Sequence, residues 1–451
     1  MNRTTKILLA IGIIVLSYPG LAWLTGIAVQ GRLQRSQQQV LERVPYVALL
    51  KREYDRGIYR STEIATYGLR IPAAGAAIPA GATLTITSHI QHGPLPGLSA
   101  IGLATVDSTV SGPPAMQKAL AAVLGTTPLM RVHTTVGLFG GATANITSPA
   151  FSTQLPDGST LTWGGVTGTV TSGGIRARDS VQLSVPRLAL KGSHGAFEIA
   201  GIEYSGSFRK AFDELYLGSG TFTIERLDGT TAPRSAFSLQ RISLATASKA
   251  DGQFLDMRVD LAMDAAQAAA VQLTNVVYSV SVEHLHGPTL ASMTQAIRKA
   301  EGEAGPDPVK LQAAAQGAFR QYGVELLLHD PVIDIRRISF TMPEGTFLVS
   351  AKVSAPGLSP ADLQGLPAAS AALKTHAELT ADVSVDNGLV QKFLALKRAT
   401  PNVGQQLTTF EQQGYLTAGT SAVTTHVAYA AGKLTLNGHP FPPAPPAPPP
   451  P

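Results

Sequence analysis

Apolar and polar positions alternate through long stretches of this chain. The segment ATLTITSHI sets Leu84, Ile86 and Ile90 on one face against Thr83, Thr85, Thr87 and His89 on the other. FLDMRVDLAM sets Leu255, Met257, Val259, Leu261 and Met263 against Asp256, Arg258 and Asp260. VVYSVSVEHL, TFLVSAKVSA and ELTADVSVDNG repeat the scheme. A period of two predicts antiparallel strands with one apolar and one polar face. Turn chemistry punctuates them: LPDGST is a turn cluster, and Asn387-Gly388 and Asn437-Gly438 read as hairpin dipeptides. In HDPVIDIRRISF the apolar phase switches at Arg336-Arg337, which predicts a bulge.

Helical spacing gathers in the last third of the chain. TLASMTQAIRKAEGE reads as a helix, and a second begins after Pro306 and ends near Tyr322. SPADLQGLPAASAALKTHAEL has Ser359 as a candidate N-cap, and NGLVQKFLALKRA and NVGQQLTTFEQQGYL complete the set. Apart from PPAMQKALAAVLG, the stretch from about 80 to 280 is strand. The predicted class is α+β: an N-terminal transmembrane helix, then a large, mainly antiparallel β-sheet body.

The transmembrane reading rests on Ile7 to Val29, which carries no charge and lies between Arg3 and Lys6 on one side and Arg32 and Arg35 on the other. As a helix it spans roughly 34 Å, enough for a hydrocarbon core of about 30 Å. Trp23 suits an interface, and the basic start predicts residues 1–6 on the cytoplasmic side. The basic start, Pro19-Gly20 and Ala22 also fit a cleavable signal peptide. Continued apolar character through WLTGIAV favours a retained anchor. Residues 30–50 then read as a polar helical stalk ended by Pro45, residues 51–438 as the exported body, and residues 439–451 as a proline-rich disordered tail.

Composition narrows the classes. The chain has 451 residues, a net charge of +5 and 14% charged residues. The low charge and positive mean hydropathy exclude general disorder, and no Lys/Arg block supports nucleic-acid binding. Cysteine is absent, which suits an oxidising compartment.

Candidate chemistry is sparse. The nucleophile-elbow, zinc-protease, phosphate-loop and dinucleotide motifs are all missing. His284 and His286 share a strand face and suggest a metal pair, but Glu203, His329 and Asp330 supply no evident third ligand. His89 and His92 would face opposite ways on a regular strand. The structural alternative is that these histidines tie down strand ends beside Gly93-Pro94 and Gly287-Pro288, each turning the chain toward a helix. The residues therefore identify no catalytic group, no cofactor site and no metal site.

EYDRGIYRSTEIA, HIQHGPLPG and GKLTLNGHP, following the apolar N-terminal segment, together resemble the YdgA-like family of bacterial envelope proteins, which carry a domain of unknown function. The matching positions are Tyr54, Arg56, Gly57, Ser61, His89, His92, Gly93, Pro94, Gly432, Leu434, Leu436, Asn437 and Gly438. The resemblance implies an inner-membrane anchor and a periplasmic body, and it carries no catalytic residue. The proline-rich tail falls outside it.

Two functional readings follow. One is a non-catalytic envelope protein that holds a lipid or hydrophobic ligand on its amphipathic sheet. The other is an envelope scaffold or interaction module, homodimeric through the stalk. A hydrolase or metalloenzyme built on His92 or His286 ranks below both. The two His-Gly-Pro triplets also suggest two related halves joined between 190 and 250.

Overall fold

The computed structural model describes residues 18–35, 37–38, 47–69, 83–98, 100–155, 157–174, 178–212, 215–231, 235–269, 271–304, 308–364, 366–396 and 403–442. They form two compact units. One comprises the chain up to Ser193 with Ala200–Arg209 and Gln295–Gly317; the other comprises His194–Ile199, Lys210–Thr294 and the chain from Ala318.

In the first unit, α1 (residues 18–35) precedes β1 (Val47–Arg56), β2 (Arg60–Leu69), β3 (Thr83–His92) and β4 (Ala104–Ser111). Then come α2 (Pro114–Leu124), β5 (Met130–Val136), β6 (Ala142–Ser148), β7 (Phe151–Gln154), β8 (Thr160–Trp163), β9 (Val166–Ser172) and β10 (Asp179–Gly192). Antiparallel pairing runs β1–β2–β3–β4–β5–β6–β9–β10, and β7 and β8 continue β6 and β9 in the same registers, so that β8 and β9 lie along one edge of β10. β11 (Gly195–Lys210) contributes residues to both units.

The strands of the second unit are longer: β12 (Tyr216–Thr231), β13 (Ser235–Asp251), β14 (Phe254–Ala268) and β15 (Val271–His286). After α3 (Gly287–Ala304) and α4 (Pro308–Leu327) come β16 (Val332–Met342), β17 (Gly345–Ser354), α5 (Leu366–His376) and β18 (Glu378–Asp386). The chain continues through α6 (Asn387–Leu396), α7 (Val403–Gln412), β19 (Thr417–Ala418), β20 (Ala422–Ala430), β21 (Lys433–Leu436) and β22 (His439–Phe441). Antiparallel pairing runs β12–β13–β14–β15–β16–β17–β18–β20–β21–β22, with β19 also on β20. The α+β class and the mainly antiparallel sheet are as the alternation predicts. The bulge at Arg336-Arg337 is also present: Ile335 pairs with Ala351 and Ile338 with Val349, so two residues of β16 stand opposite Ser350 alone.

The N-terminal expectation needs correction. Residues 1–17, including the first part of the expected span, lie outside the described residues. From Tyr18 the chain is helical, and among the described residues no helix is long and apolar enough to cross a membrane. α1 instead lays one face on the sheet of its unit. Ala22 and Val29 are buried, and Val29 joins Ile90, Ala104 and Val106 in a core bordered by Leu33, Tyr54, Leu103 and Val136. The positions 22, 26 and 29 recur at helical spacing, so one stripe of an evenly apolar segment meets protein.

The expected helical stalk over residues 30–50 meets the described residues only in part. Residues 30–35 and 37–38 are helical, Val47–Leu50 already belong to β1, and 39–46 lie outside the described residues. Three smaller differences have local causes. Asn387-Gly388 opens α6 rather than a hairpin, because β18 ends at Asp386 and α6 packs on β17 and β18. α4 runs on to Leu327, where Leu326 is buried. The tail begins as a strand, since Phe441 pairs with Leu434; residues 443–451 lie outside the described residues.

Candidate functional site

Gly93-Pro94 and Gly287-Pro288 follow the last residues of β3 and β15, so both stop a strand. They differ beyond that. Gly287-Pro288 opens α3 directly, with proline in the first turn where its missing N–H costs nothing. Gly93, at φ 115°, instead turns the chain into a loop with a short 3-10 turn before β4. No helix follows there, because Gly93 N–H donates to the Leu103 carbonyl and Gly102 N–H to the Pro94 carbonyl, closing the loop on itself.

β3 stays regular to His92, so His89 is exposed while His92 is buried on the opposite face. His92 Nε2 lies 2.8 Å from Ser61 Oγ, also buried, on the neighbouring strand β2. Among the described residues His92 Nδ1 finds no hydrogen-bond partner, and it faces Gly26 of α1, where a Cβ would stand only 2.6 Å from it. Glycine is therefore required at 26 for the helix to approach this closely. Burial pushes the His92 imidazole below its ordinary value, so the ring is neutral near pH 7. A serine–histidine contact is the pairing that nucleophilic catalysis employs. Here both groups are buried, no acid among the described residues orients the ring, and the contact clamps β3 to β2 beneath α1.

The neighbouring motif residues complete this corner. The Arg56 guanidinium lies over the Trp23 ring at 5.4 Å. Gly57 N–H donates to the Arg60 carbonyl in the β1–β2 turn. The Tyr18 hydroxyl donates to the Leu95 carbonyl, and its ring stacks on Tyr59 at 5.9 Å. Tyr18, Tyr59, His92 and Leu95 line an open hollow of about 640 Å³. Beyond the end of α1, buried Glu63 of β2 accepts from Arg52 Nε at 2.5 Å and Gln37 Nε2 at 3.0 Å. Sequence reasoning missed this tie, because a lone glutamate within a strand pattern carries no distinctive signal.

Thus Arg56, Gly57, Ser61, His89, His92, Gly93 and Pro94 belong to one set of adjacent strands and turns in the first unit. Asn437 and Gly438, at φ 49° and 82°, make the tight turn between β21 and β22 of the second. There Asn437 Oδ1 accepts from the His426 N–H at 2.7 Å.

His284, His286 and His329 cluster with Phe254. His284, at φ 61°, lies on Phe254 with centroids 3.9 Å apart, and His286 lies on His329 at 4.0 Å. The stacked His286 and His329 rings do not aim their nitrogens at one point, and among the described residues no group of three metal-ligating side chains gathers here. His286 Nδ1 is instead 2.8 Å from Thr289 Oγ1, and His284 Nδ1 is 2.7 Å from the His329 carbonyl oxygen. Burial and the adjacent His329 push His286 below its ordinary value.

The second unit carries the most extensive apolar feature. Cross-strand partners project to the same side of a sheet. One row therefore reads Val259, Val280, Ile335, Ala351, Ala381, Val427. Beside it run Leu261, Tyr278, Ile338, Val349, Val383 and Met257, Val282, Ile333, Val353, Leu379. None of these residues is buried, and Met257, Val259, Leu261, Tyr278 and Ile333 are exposed.

Comparison with known proteins adds one match. The model of a family described as bacterial protein of unknown function (DUF945) matches residues 1–444. No curated protein and no solved structure matches. The chain belongs to that bacterial family of unknown function, as the motif resemblance implies.

Proposed function

Taking membership of that family as the premise, we propose that this protein is an envelope body tethered to the bacterial inner membrane by its apolar N-terminal segment, with both units in the periplasm. The body holds lipid acyl chains against the apolar sheet face of its second unit. The observation that carries this reading is the three-row apolar face without a buried residue. A sheet face of that kind meets water unless something covers it, and uncovered apolar surface of this extent marks a binding surface. From β14 to β20 a row crosses five strand spacings, roughly 24 Å at about 4.8 Å each. That length exceeds the ~15 Å of one leaflet's hydrocarbon, so a row accommodates a whole acyl chain. Each methylene removed from water there contributes about 0.8 kcal/mol. The tether is supported by the uncharged run from Ile7 to Leu16 behind Arg3 and Lys6.

The test is lipid extraction and mass spectrometry of the purified full-length chain after exchange into a lipid-free detergent. The unaltered protein should retain phospholipid, and a Val259→Asp, Tyr278→Asp double variant with an unchanged circular dichroism spectrum should lose it. Absence of bound lipid on the unaltered protein in repeated preparations would remove the reading.

A further inference from the structure

We infer that the strand-end rim of the first unit is a bilayer-docking surface, which seats the body on the same membrane that its N-terminal segment enters. The inference rests on the tether proposed above and assigns a surface to it.

Three connections leave the same ends of adjacent antiparallel strands: β1 to β2 at 57–59, β3 to β4 at 93–103, and β5 to β6 at 137–141. Polar residues are the norm at such turns. Here they present Ile58, Tyr59, Leu95, Ile101, Leu138 and Phe139, all exposed, with Phe139 96% and Ile101 75% accessible. Apolar side chains raised into solvent on three successive turns form a patch of the kind that marks an interaction site.

The position of the chain outside the described residues selects the occupant. α1 begins at this rim, since Tyr18 bonds to Leu95 and stacks on Tyr59. The seventeen residues before it include the uncharged run Ile7 to Leu16. Any bilayer this run enters therefore lies against the rim. The outer face of α1 continues the patch through exposed Leu21, Leu24 and Ile27, then turns polar at Gln30, Arg32, Gln34 and Arg35. Arg56 beneath Trp23 pairs a cation with an aromatic ring suited to the headgroup level. The described charges at this end are Arg32, Arg56, Arg60 and Arg178 against Asp55 and Asp179, an excess that favours anionic headgroups.

The absence of cysteine makes the test direct, because any introduced thiol is unique. Full-length chains carrying Phe139→Cys, Ile101→Cys or Val123→Cys are labelled with an environment-sensitive fluorophore. They are then reconstituted into phosphatidylethanolamine–phosphatidylglycerol vesicles. Val123 is an exposed residue of α2, at the opposite strand ends. The probes at 139 and 101 should be quenched several-fold less by iodide than the probe at 123, and several-fold more by spin-labelled lipid. If the chain floats with the vesicles yet all three probes respond alike, the rim assignment is lost while the tether stands. A chain that does not float removes both. Shielding that disappears on dilution to one chain per vesicle assigns the rim to a second copy and overturns the proposal.

Discussion

The two units treat the same material in opposite ways. In the first, α1 covers the apolar side of β3 and β4, so that Ile90, Ala104, Val106 and His92 are shut away from water. In the second, the row through Val259, Val280 and Ile335 is just as apolar and is not sealed. The difference lies in what each sheet has to pack against. The first has a helix with Ala22 and Gly26 on its inner face, small enough to come within contact of an imidazole. The helices of the second bury other positions, such as Leu389 of α6 and Ala372 of α5. Amphipathic strands thus give a core where a cover with small residues exists, and an apolar surface where it does not.

Paired truncations test this contrast most strongly. Ile90→Ala, at a site 1% exposed, should cost about 2–5 kcal/mol in urea unfolding. Val259→Ala, 36% exposed, should cost under about 1 kcal/mol. Equal costs would mean that the second face is covered after all. Gly26→Val comes next, because its side chain collides with the His92 ring. It should cost about 1–3 kcal/mol and raise protease cleavage between α1 and β1, whereas intact resistance would show that the clamp tolerates a larger residue. In the second unit Asn437→Ala puts a residue that lacks asparagine's tolerance of the left-handed region at φ 49° and removes the Oδ1 acceptor of the His426 N–H; it should cost roughly 1–2 kcal/mol, without changing the cleavage pattern near α1.

The smallest effect is a pH dependence. The unfolded His92 takes a proton near pH 6.5, and the folded one only at lower pH. The stabilisation from keeping the ring neutral is therefore complete above about pH 6.5 and falls as pH drops toward the folded value. His286, also held low, contributes with the same sign in the other unit. His92→Gln should flatten part of the decline in urea midpoint between about pH 7.5 and about pH 5.5, leaving the His286 share. An unchanged slope would place the whole dependence in the second unit.

Much of the sheet was legible because side-chain alternation is a local property. Met257, Val259 and Leu261 declare a face whatever lies over it, and the phase switch at Arg336-Arg337 declares its bulge. Burial was not legible, since nothing in that alternation says whether a helix will cover the face. The segment from Tyr18 to Val29 misled for a related reason. Hydropathy averages around the whole helix, while docking uses only the stripe of Ala22, Gly26 and Val29. At the candidate corner, the opposed faces of His89 and His92 followed from strand geometry alone. The partner Ser61, thirty-one positions away, required the register of β2 against β3. Asn387-Gly388 misled because the same dipeptide suits a hairpin or the start of a helix, and the packing of α6 on β17 and β18 decided it.

The bulge at Arg336-Arg337 bears on the shape of the proposed apolar surface. Without the bulge, the period of two would carry Ile338 and Phe340 to the opposite side from Ile335, and the row through Leu261, Tyr278 and Val349 would be broken at β16. The bulge restores the phase while increasing local twist, and register shifts between Leu255 and Met257 and between Thr274 and Val277 add to it nearby. A surface coiled in this way gives a rigid, flat polycycle few points of simultaneous contact. A flexible chain can follow its curvature from strand to strand, so the bulge suits the acyl-chain occupant proposed above better than a rigid one.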